Sequence, residues 1–432
     1  MSFFNEKIET MGRNELEGLQ MERLTKTLNH CYDNVPFYKN RFDKHGIKPS
    51  DIKTLSDLAK IPFTVKEDLR ENFPYKMFAV PMDDVVRIHA SSGTTGNPTV
   101  VGYTKNDLEM WSECMARIIV AGGVTKKDIA HVSFGYGLFT GAFGLHYGLE
   151  KVGCAVIPMS SGNTEKQINV LRDFGATILV GTPSYAMHLS EVMHEMGYSK
   201  DDLSLKYGLF GGEGSTEEMR AAIESNLGIT ATENYGMSEL IGPGVSGECI
   251  YKCGTHVNED YFIVETINPE TGEVLKNGEK GELVITPIGK EAFPILRYRT
   301  RDIGRILTDK CKCGRTSYRI EKLSGRSDDM LIIKGVNVFP SQIEAAIIGI
   351  EHISPNYQII VTKKGHFDAL EVVCELIDGA LLEKFSELEA LEKHIKHKIY
   401  TITGLMVKIK LVSPKTIERS QGKAKRVIDL RK

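Results

Sequence analysis

The 432-residue sequence has no long apolar run and no large excess of either charge: its formal net charge is −3, and 41% of its residues are hydrophobic. No stretch approaches the roughly 20 apolar residues that a membrane helix needs. Residues 1–13 are polar and mixed in charge, unlike a signal peptide. The near balance of charge gives no reason to expect a polyanionic partner. We therefore expect a cytoplasmic protein with no membrane or nucleic-acid partner, long enough for two or three domains.

The eight cysteines are not spaced as in a disulfide framework. Four are isolated in the sequence, namely Cys31, Cys114, Cys154 and Cys374. The other four form two close pairs, Cys249 with Cys253 and Cys311 with Cys313. This uneven placement is more typical of a protein in a reducing compartment.

The most informative segment is a loop rich in glycine and hydroxyl groups, Ser91–Thr99, with the sequence Ser-Ser-Gly-Thr-Thr-Gly-Asn-Pro-Thr. It follows an alternating segment, Val86–Ala90, that predicts a strand. Backbone N–H groups of such a loop can surround an anion, and the hydroxyl groups add further donors. The loop is not a Walker motif, because no Gly-Lys-Ser/Thr ends it. A solvated turn is the alternative interpretation of this segment alone.

The order of elements predicts an α/β protein. Residues 1–85 have a mainly helical pattern. Between residues 86 and 240, apolar runs alternate with amphipathic segments, which is typical of a parallel sheet with helices on both faces. The strands and helices predicted there include Ala130–Phe134, Ala155–Met159, Ala176–Val180, Tyr207–Phe210, Thr164–Phe174 and Ser215–Leu227. Ser215 and Glu218 have the spacing of a capping box for the last helix.

The pattern changes after residue 245. Residues 245–320 combine β-rich runs with glycine turns such as Asn277-Gly278, and they predict a smaller β-subdomain. After Gly325 the sequence predicts a hairpin at Met330–Val338, a helix, two strands, a second helix and a final strand near Val407–Val412. This order indicates a compact α+β domain of about 100 residues.

Four further segments combine glycine, acidic, aromatic and basic residues: Glu233–Glu239, Tyr298–Asp302, Gly325–Gly335 and Gly422-Lys423. Together with the loop, they make the chain resemble the adenylate-forming ligases (acyl-CoA synthetases), in particular the phenylacetate–CoA ligase subfamily. The subfamily resemblance is carried by His89–Gly96, Gly135–Gly141, Arg297–Asp302 and Gly335–Pro340. The resemblance spans nearly the whole chain. It implies a large N-terminal domain, residues 1–325, with mixed sheets flanked by helices, and a small mobile α+β domain, residues 326–432.

The resemblance implies an enzyme that joins a carboxylic acid first to ATP and then to coenzyme A, with phenylacetate or a similar aryl acid as substrate. Because the carboxylate and ATP are both anionic, charge neutralisation and positioning must supply most of the catalysis. The residues assigned to the nucleotide are Ser92, Gly93, Thr94, Thr95, Gly96, Gly212, Glu213, Asn234, Tyr235, Gly236, Met237, Ser238, Asp302 and Arg326. Tyr235 offers a flat face to adenine, and Asp302 accepts hydrogen bonds from both ribose hydroxyls. Similar proteins usually carry a lysine in place of Asn97, so this loop has one positive charge fewer.

Two residues are assigned to catalysis. Glu239 is the expected Mg²⁺ ligand. Lys423 is expected to contact the attacking carboxylate and the oxygen that bridges to the ribose. Asp328 matches the hinge between the domains, and Lys334 and Gly335 would admit the thiol of CoA after the small domain rotates.

These motifs also have interpretations in which the protein is not an enzyme. The basic segment around Lys423 is then a solvated tail or a weak nucleic-acid patch, although it contains no aromatic residue. Glu239 becomes a solvated helix carboxylate, and Arg301–Asp302 becomes a surface ion pair. Tyr136, Phe139 and Gly214, which the resemblance assigns to a pocket for a flat aryl acid, are equally compatible with the hydrophobic core.

The two cysteine pairs and His256 offer thiolate and imidazole ligands for a metal ion. The set that best matches related ligases is Cys249, His256, Cys311 and Cys313, with Cys253 as an alternative ligand. Zn²⁺ takes four such ligands in closed structural sites. Both pairs lie in the predicted β-subdomain, which favours a structural zinc over a catalytic one. Free thiols without a metal are the alternative.

Two other functions are compatible with these residues. One is the adenylation of another carboxylic acid, including the loading of a carrier protein. The other is a non-catalytic nucleotide-binding scaffold whose zinc loops dock a partner. The joint presence of Glu239, Asp302, Arg326 and Lys423 favours an enzyme. Similar ligases are commonly dimers, so a homodimer is a further expectation.

Overall fold

The computed structural model describes residues 2–91, 97–329, 331–333, 336–364, 367–419, 424 and 426–431. The first 85 residues are mainly helical, as predicted: α1 (Glu6–Glu9), α2 (Arg13–Asn34), α3 (Pro36–His45) and α4 (Lys66–Glu71). Helix α2 buries Leu24, Leu28 and Cys31, which are four and three residues apart and so share one helix face. No helix in these ranges is long and apolar enough to cross a membrane.

A nine-stranded sheet is the centre of the large domain, and five of its strands are parallel, as predicted. The elements up to this point are β1 (Arg87–Ala90), β2 (Val100–Tyr103), α5 (Lys105–Ala121), β3 (Ile129–Val132), α6 (Gly141–Val152), β4 (Ala155–Ile157), α7 (Thr164–Asp173), β5 (Ile178–Gly181), α8 (Pro183–Glu195), β6 (Tyr207–Gly211), α9 (Glu217–Leu227) and β7 (Thr230–Met237). Strands β3 to β7 are the parallel ones. Separate apolar clusters against α5 and α6 and against α7, α8 and α9 place helices on both faces.

The start of α9 differs from the prediction. Thr216 is the N-cap, and its side chain accepts a hydrogen bond from the Met219 N–H at 3.1 Å. Ser215 instead donates to the carboxylate of Glu233 on the neighbouring strand β7. The capping box predicted for Ser215 was therefore wrong, because a contact between distant residues engages that hydroxyl.

Residues 245–320 are rich in strands, as predicted, and these strands belong to two sheets. The elements here are β8 (Gly242–Glu248), β9 (Thr255–Val257), β10 (Phe262–Ile267), β11 (Gly281–Pro287), β12 (Tyr298–Gly304), β13 (Ile306–Leu307), β14 (Arg319–Ile320) and β15 (Gly325–Arg326). Strands β8, β9, β13 and β14 extend the nine-stranded sheet in the order β13-β14-β9-β8-β7-β6-β5-β3-β4. Strands β10, β11, β12 and β15 form a second, four-stranded antiparallel sheet. The tight reversal from β7 into β8 is what carries the β-rich segment into the main sheet.

A separate C-terminal domain follows, with its own apolar core. Its elements are β16 (Leu331–Ile333), β17 (Val336–Val338), α10 (Pro340–Ile347), β18 (Ile353–Lys364), β19 (Phe367–Leu376), α11 (Phe385–Thr403), β20 (Lys408–Val412) and β21 (Val427–Asp429). The predicted hairpin is β16 and β17. Strand β20 is not the final strand, because β21 pairs in parallel with β18 and completes the sheet β20-β19-β18-β21. Strand β21 has only three residues, too few for an alternating pattern. The domain boundary at residues 325 and 326 stays a prediction.

Candidate active site

The site begins where two neighbouring parallel strands end. Gly211, the last residue of β6, is in register with Asn234 of β7, and the Asn234 amide donates to the Phe210 carbonyl at 2.7 Å. Gly212 and Gly214 follow β6 directly. A Cβ atom built on Gly214 would meet no atom within 4 Å, so this end of the sheet adjoins open space. Ligands of open α/β sheets bind in such a crevice beyond the carboxyl ends of the strands.

The second sheet contributes a buried carboxylate to the same place. Asp302 on β12 is 6% exposed. Its Oδ2 atom accepts a hydrogen bond from the Tyr235 hydroxyl at 2.6 Å, and its Oδ1 atom lies 3.3 Å from Arg326 Nη1. Burial raises the pKa of Asp302 to about 6. Three residues assigned to the nucleotide from sequence are therefore in direct contact, and the surface ion pair considered for Asp302 is wrong because this carboxylate is buried.

Arg326 also binds the residue that matches the family hinge. Its Nε and Nη2 atoms donate to the two carboxylate oxygens of Asp328 at 2.8 and 2.9 Å. Burial alone would lower the pKa of Arg326, but the hydrogen bonds to Asp328 and the charge of Asp302 raise it above its usual value. One guanidinium group thus joins the Asp302 carboxylate to that of Asp328, three residues before β16.

Glu239 lies in the turn between β7 and β8 and is 5% exposed, so the alternative of a solvated helix carboxylate is wrong. Two aromatic side chains fix the backbone just beyond it. Tyr103 donates from its hydroxyl to the Ile241 carbonyl at 2.9 Å, and Trp111 donates from Nε1 to the Pro243 carbonyl at 2.6 Å. The Tyr103 and Trp111 rings stack with centroids 5.0 Å apart. Sequence reasoning missed both residues, although Trp111 is the one tryptophan of the chain.

Glycine at position 236 is required by this turn itself. A Cβ atom on Gly236 would lie 1.9 Å from the Gly242 carbonyl oxygen, and Gly242 has a φ of +100°. The close approach of β7 and β8 therefore excludes any side chain at position 236. Beyond it, Ser238 Oγ lies 3.2 Å from Thr140 Oγ1, which ties the turn to the loop after β3.

That loop carries the acyl-pocket candidates. Phe139 is 55% exposed, so it is not a core residue. Tyr136 is half-buried, packs edge-to-face on Phe143 with centroids 5.2 Å apart, and bonds through its hydroxyl to His146 Nδ1 at 2.8 Å. The Leu138 carbonyl accepts from the Ala90 N–H at 2.9 Å. The loop that carries Tyr136 and Phe139 is therefore tied to strand β1 on one side and to the turn that carries Glu239 on the other, whereas the third acyl candidate, Gly214, follows β6.

Several predicted residues lie outside the described ranges: Ser92, Gly93, Thr94, Thr95, Gly96, Lys334, Gly335 and Lys423. Both flanks of the glycine-rich loop are described, and they are joined because the Ser91 N–H donates to the Thr99 carbonyl at 2.9 Å. The residue that follows Lys423 is also described. The Ala424 N–H donates to Glu213 Oε2 at 3.0 Å, beside the end of β6.

A second cluster is rich in thiols. One donor atom each from Cys249, His256, Cys311 and Cys313 lies within 4.8 Å of the others, and all four residues are buried. The Cys249 and Cys311 sulfur atoms are 3.7 Å apart, and Cys313 Sγ is 3.3 Å from His256 Nε2. The hydrogen bond from Cys249 lowers the pKa of the Cys313 thiol, which favours a thiolate. The fifth candidate, Cys253, lies 3.4 Å from Cys311 but is exposed and outside this compact group.

A buried lysine beside the site was not identified from sequence. Lys290 is 2% exposed, and its Nζ atom has no hydrogen-bond partner in the described part of the chain. The ammonium lies 5.0 Å from the ring centroids of Tyr103 and Phe293. Burial lowers the pKa of Lys290 to about 8, against the attraction of Asp107 and Glu239. A lysine next to Glu291 in sequence gives no signal of burial.

Comparison with known proteins agrees with this arrangement. The sequence model described as "AMP-binding enzyme" matches residues 17–289, and the one described as "AMP-binding enzyme C-terminal domain" matches residues 335–431. The chain therefore belongs to the AMP-binding enzyme family. It is 49% identical to the phenylacetate-coenzyme A ligase of Escherichia coli (strain K12) over 426 residues, 98% of this chain and 97% of that protein. It is 50% identical to the phenylacetate-coenzyme A ligase of Aromatoleum evansii over 429 residues, 99% of this chain and 97% of that protein.

Among solved structures, the chain resembles a 2-hydroxyisobutyryl-CoA ligase in two states. The postadenylation state of that enzyme superposes with a TM-score of 0.93, at 27% identity, over 98% of this chain and 91% of that one. The thioesterification state superposes with a TM-score of 0.73, at 28% identity, over 98% of this chain and 92% of that one. The two domains described here are thus arranged more like those of the postadenylation state.

Proposed function

We propose that this chain is an ATP-dependent, AMP-forming ligase that converts an aryl carboxylic acid, phenylacetate or a close relative, to its CoA thioester. The observation that carries the proposal is the buried Asp302 carboxylate, held between Tyr235 and Arg326 at the junction of the two sheets. The near full-length identity to ligases named for phenylacetate supports this substrate class.

The reaction has two balanced steps. A carboxylate oxygen of the acid attacks the α-phosphorus of ATP, a new P–O bond forms, and pyrophosphate leaves. The CoA sulfur, having lost its proton, then attacks the acyl carbon, and AMP leaves with the electrons of the broken C–O bond. Both steps bring anions together, so fixed positive charge and hydrogen-bond donors are the main catalytic resource.

The nucleotide is proposed to lie across the ends of β6 and β7. Tyr235 packs against adenine, and Asp302 accepts hydrogen bonds from the ribose hydroxyls while Arg326 holds that carboxylate in place. The loop Ser92–Gly96 surrounds the β- and γ-phosphates with N–H and O–H donors. Asn97, which follows this loop directly, adds no positive charge, so we expect weaker ATP binding than a lysine at this position would give.

The buried Glu239 is the proposed Mg²⁺ ligand, since carboxylate oxygen suits this ion. The bound ion would neutralise phosphate charge. Lys423 is proposed to contact the attacking carboxylate, and the position of its neighbour Ala424 beside Glu213 supports this. Tyr136, Phe139 and Gly214 are the proposed walls of the acyl pocket.

The chain is proposed to divide into residues 1–325 and 326–432, with Asp328 at the hinge and Lys334 and Gly335 beside the thiol in the second step. Cys249, His256, Cys311 and Cys313 are the proposed ligands of a structural zinc, because four soft donors at these distances fit one tetrahedral ion with bonds of about 2.0–2.3 Å. Cys253 is then a spare thiol. We further propose that the protein is a homodimer and is located in the cytoplasm.

The test is a pyrophosphate-release screen over aromatic and aliphatic acids, with and without CoA. Arylacetic acids should give the fastest release and a thioester with free CoA. Lys423→Ala should abolish release but spare thioester formation from preformed acyl-adenylate, whereas the matched variant Lys410→Ala, an exposed lysine on β20, should behave as wild type. Turnover only with a carrier thiol, or adenylation that survives Lys423→Ala, would contradict the proposal.

A further inference from the structure

An acidic surface of the large domain faces a basic segment of the small domain. On helix α8, Glu191 Oε2 lies 3.3 Å from Arg419 Nε, and Glu195 Oε1 lies 2.8 Å from Lys415 Nζ. Glu191 Oε1 also accepts a hydrogen bond from the Asn356 amide at 3.1 Å. Opposite charges therefore meet along the boundary between the domains.

Glu213 adds a fixed contact to the same boundary. Its Oε1 atom accepts from the Ser184 N–H at the start of α8 at 2.7 Å, and its Oε2 atom accepts from the Ala424 N–H at 3.0 Å. One carboxylate thus joins the large domain to the residue directly after Lys423. Because both oxygens accept charge-assisted hydrogen bonds, the contact is directional as well as attractive.

The two arginines on the basic side of the boundary, Arg419 and Arg426, are held in position by contacts within the small domain. Arg419 makes two further hydrogen bonds, at 2.6 and 2.9 Å, to the Glu375 carboxylate, which is 1% exposed. Arg426 lies over the Tyr357 ring at 4.4 Å and reaches the Ser184 hydroxyl at 3.4 Å. The contacts with Glu375 and Tyr357 lie within the small domain and restrict both guanidinium groups, so less freedom is lost when the domains meet.

We infer that Glu191 and Glu213 form an acidic latch that holds the segment carrying Lys423 in place for adenylation and releases it for thioester formation. They act here as positioning residues: Glu191 is not assigned to the nucleotide, and Glu213, which is, acts in the latch through its contact with the Ala424 N–H. The inference rests on the proposed function. It is supported by the domain arrangement, which matches the postadenylation state of the 2-hydroxyisobutyryl-CoA ligase better than its thioesterification state.

The test is a charge-swap cycle at Glu191, which lies on α8 and apart from the residues assigned to the nucleotide. Glu191→Lys places like charges opposite Arg419, and Asn356→Asp places a second carboxylate beside Glu191. Each single variant should slow acid-dependent pyrophosphate exchange about tenfold, the factor expected for one charge-assisted hydrogen bond. Thioester formation from preformed acyl-adenylate should keep its rate. The double variant, which pairs the new lysine with the new aspartate, should recover most of the exchange rate.

The matched control is Glu195→Gln. Its side chain is 51% exposed and its partner Lys415 is 70% exposed, so this pair contributes little to the boundary. Glu195→Gln should leave both half-reactions unchanged. Equal slowing of both half-reactions by Glu191→Lys, no slowing of either, or a double variant no faster than the singles would overturn the latch.

A second readout does not depend on activity. Carbodiimide joins an amine to a carboxylate in contact, so mass spectrometry of the cross-linked peptide containing Glu195 and Lys415 reports the latched arrangement. Its yield should fall several-fold in Glu191→Lys and return in the double variant, and Glu195→Gln should abolish it. Undiminished yield in Glu191→Lys overturns the latch. If wild type adenylates no acid, the proposed function fails, and the cross-link still decides the latch.

Discussion

The buried Asp302 carboxylate makes nucleotide affinity depend on pH in a defined direction. A pKa raised from 3.8 to about 6 means that ionising Asp302 costs about 3 kcal/mol more in the folded protein than in water. Below pH 6 the group is mainly protonated, so one oxygen carries a proton and the group loses the negative charge with which it accepts hydrogen bonds from the ribose hydroxyls. We therefore expect affinity to be constant above about pH 7 and to fall about tenfold for each pH unit below 6.

The assay is calorimetric titration with adenosine from pH 5 to pH 8, because adenosine carries no phosphate to titrate in this range. Asp302→Asn should weaken binding about tenfold or more at pH 8, since a hydrogen bond to a charged group contributes about 1.5–3 kcal/mol, and should remove the pH dependence. Tyr235→Phe removes a donor that lowers the pKa of Asp302, so it should move the midpoint to higher pH.

One control completes this prediction. Asp201→Asn changes an exposed carboxylate in the short 3-10 helix Lys200–Asp202 and should keep the wild-type pH profile. An affinity that stays flat between pH 5 and pH 7, or an equal pH dependence in Asp302→Asn, would refute the assignment of Asp302 to the ribose.

Three further predictions concern other parts of the chain. Purified protein should contain about one equivalent of zinc that Cys311→Ser removes, and less than about a tenth of an equivalent in wild type would reject the site. Gly236→Ala should abolish adenylation, because the new Cβ atom would lie 1.9 Å from the Gly242 carbonyl oxygen, and wild-type activity in this variant would contradict the described turn. Lys290→Met should raise the free energy of unfolding at pH 7 by about 1–3 kcal/mol, because a lysine whose pKa falls from 10.5 to about 8 destabilises the fold until pH rises through that range. Chemical denaturation at pH 7 and pH 10 measures this free energy. A variant less stable than wild type at pH 7 would contradict the prediction, because the attraction of the ammonium to the Tyr103 and Phe293 rings would then exceed the cost of burying its charge.

The parallel half of the main sheet could be predicted because each strand and helix there has its own apolar period and its own capping residues. Which sheet each strand of residues 245–320 joins could not be predicted. Strand partners such as β14 and β9 lie more than 60 residues apart in the sequence, and no local pattern encodes their pairing. The same limit explains why the capping box at Ser215 was predicted wrongly: its hydroxyl donates to Glu233 on β7, which is 18 residues away in the sequence.

The site was predictable where a motif carries its own chemistry. Tyr235, Asp302 and Arg326 were assigned separately from sequence and are in contact in the structure. Lys290 and Glu191 were missed for opposite reasons. Lys290 looks like a surface residue but is buried, and Glu191 looks like one of many helix carboxylates but faces Arg419 of the other domain. Neither property depends on residues nearby in the sequence.

The connection that contains Lys423 has both of its ends in the small domain. It runs from β20 to β21, which are the two outermost strands of the small domain's sheet, and comprises about fourteen residues. Three strand spacings of about 4.8 Å, roughly 14 Å in all, separate its ends, whereas fourteen extended residues could span roughly 46 Å, so the connection has ample length to cross the sheet. Because both of its ends are strands of one sheet, any rotation of the small domain would displace the connection as well.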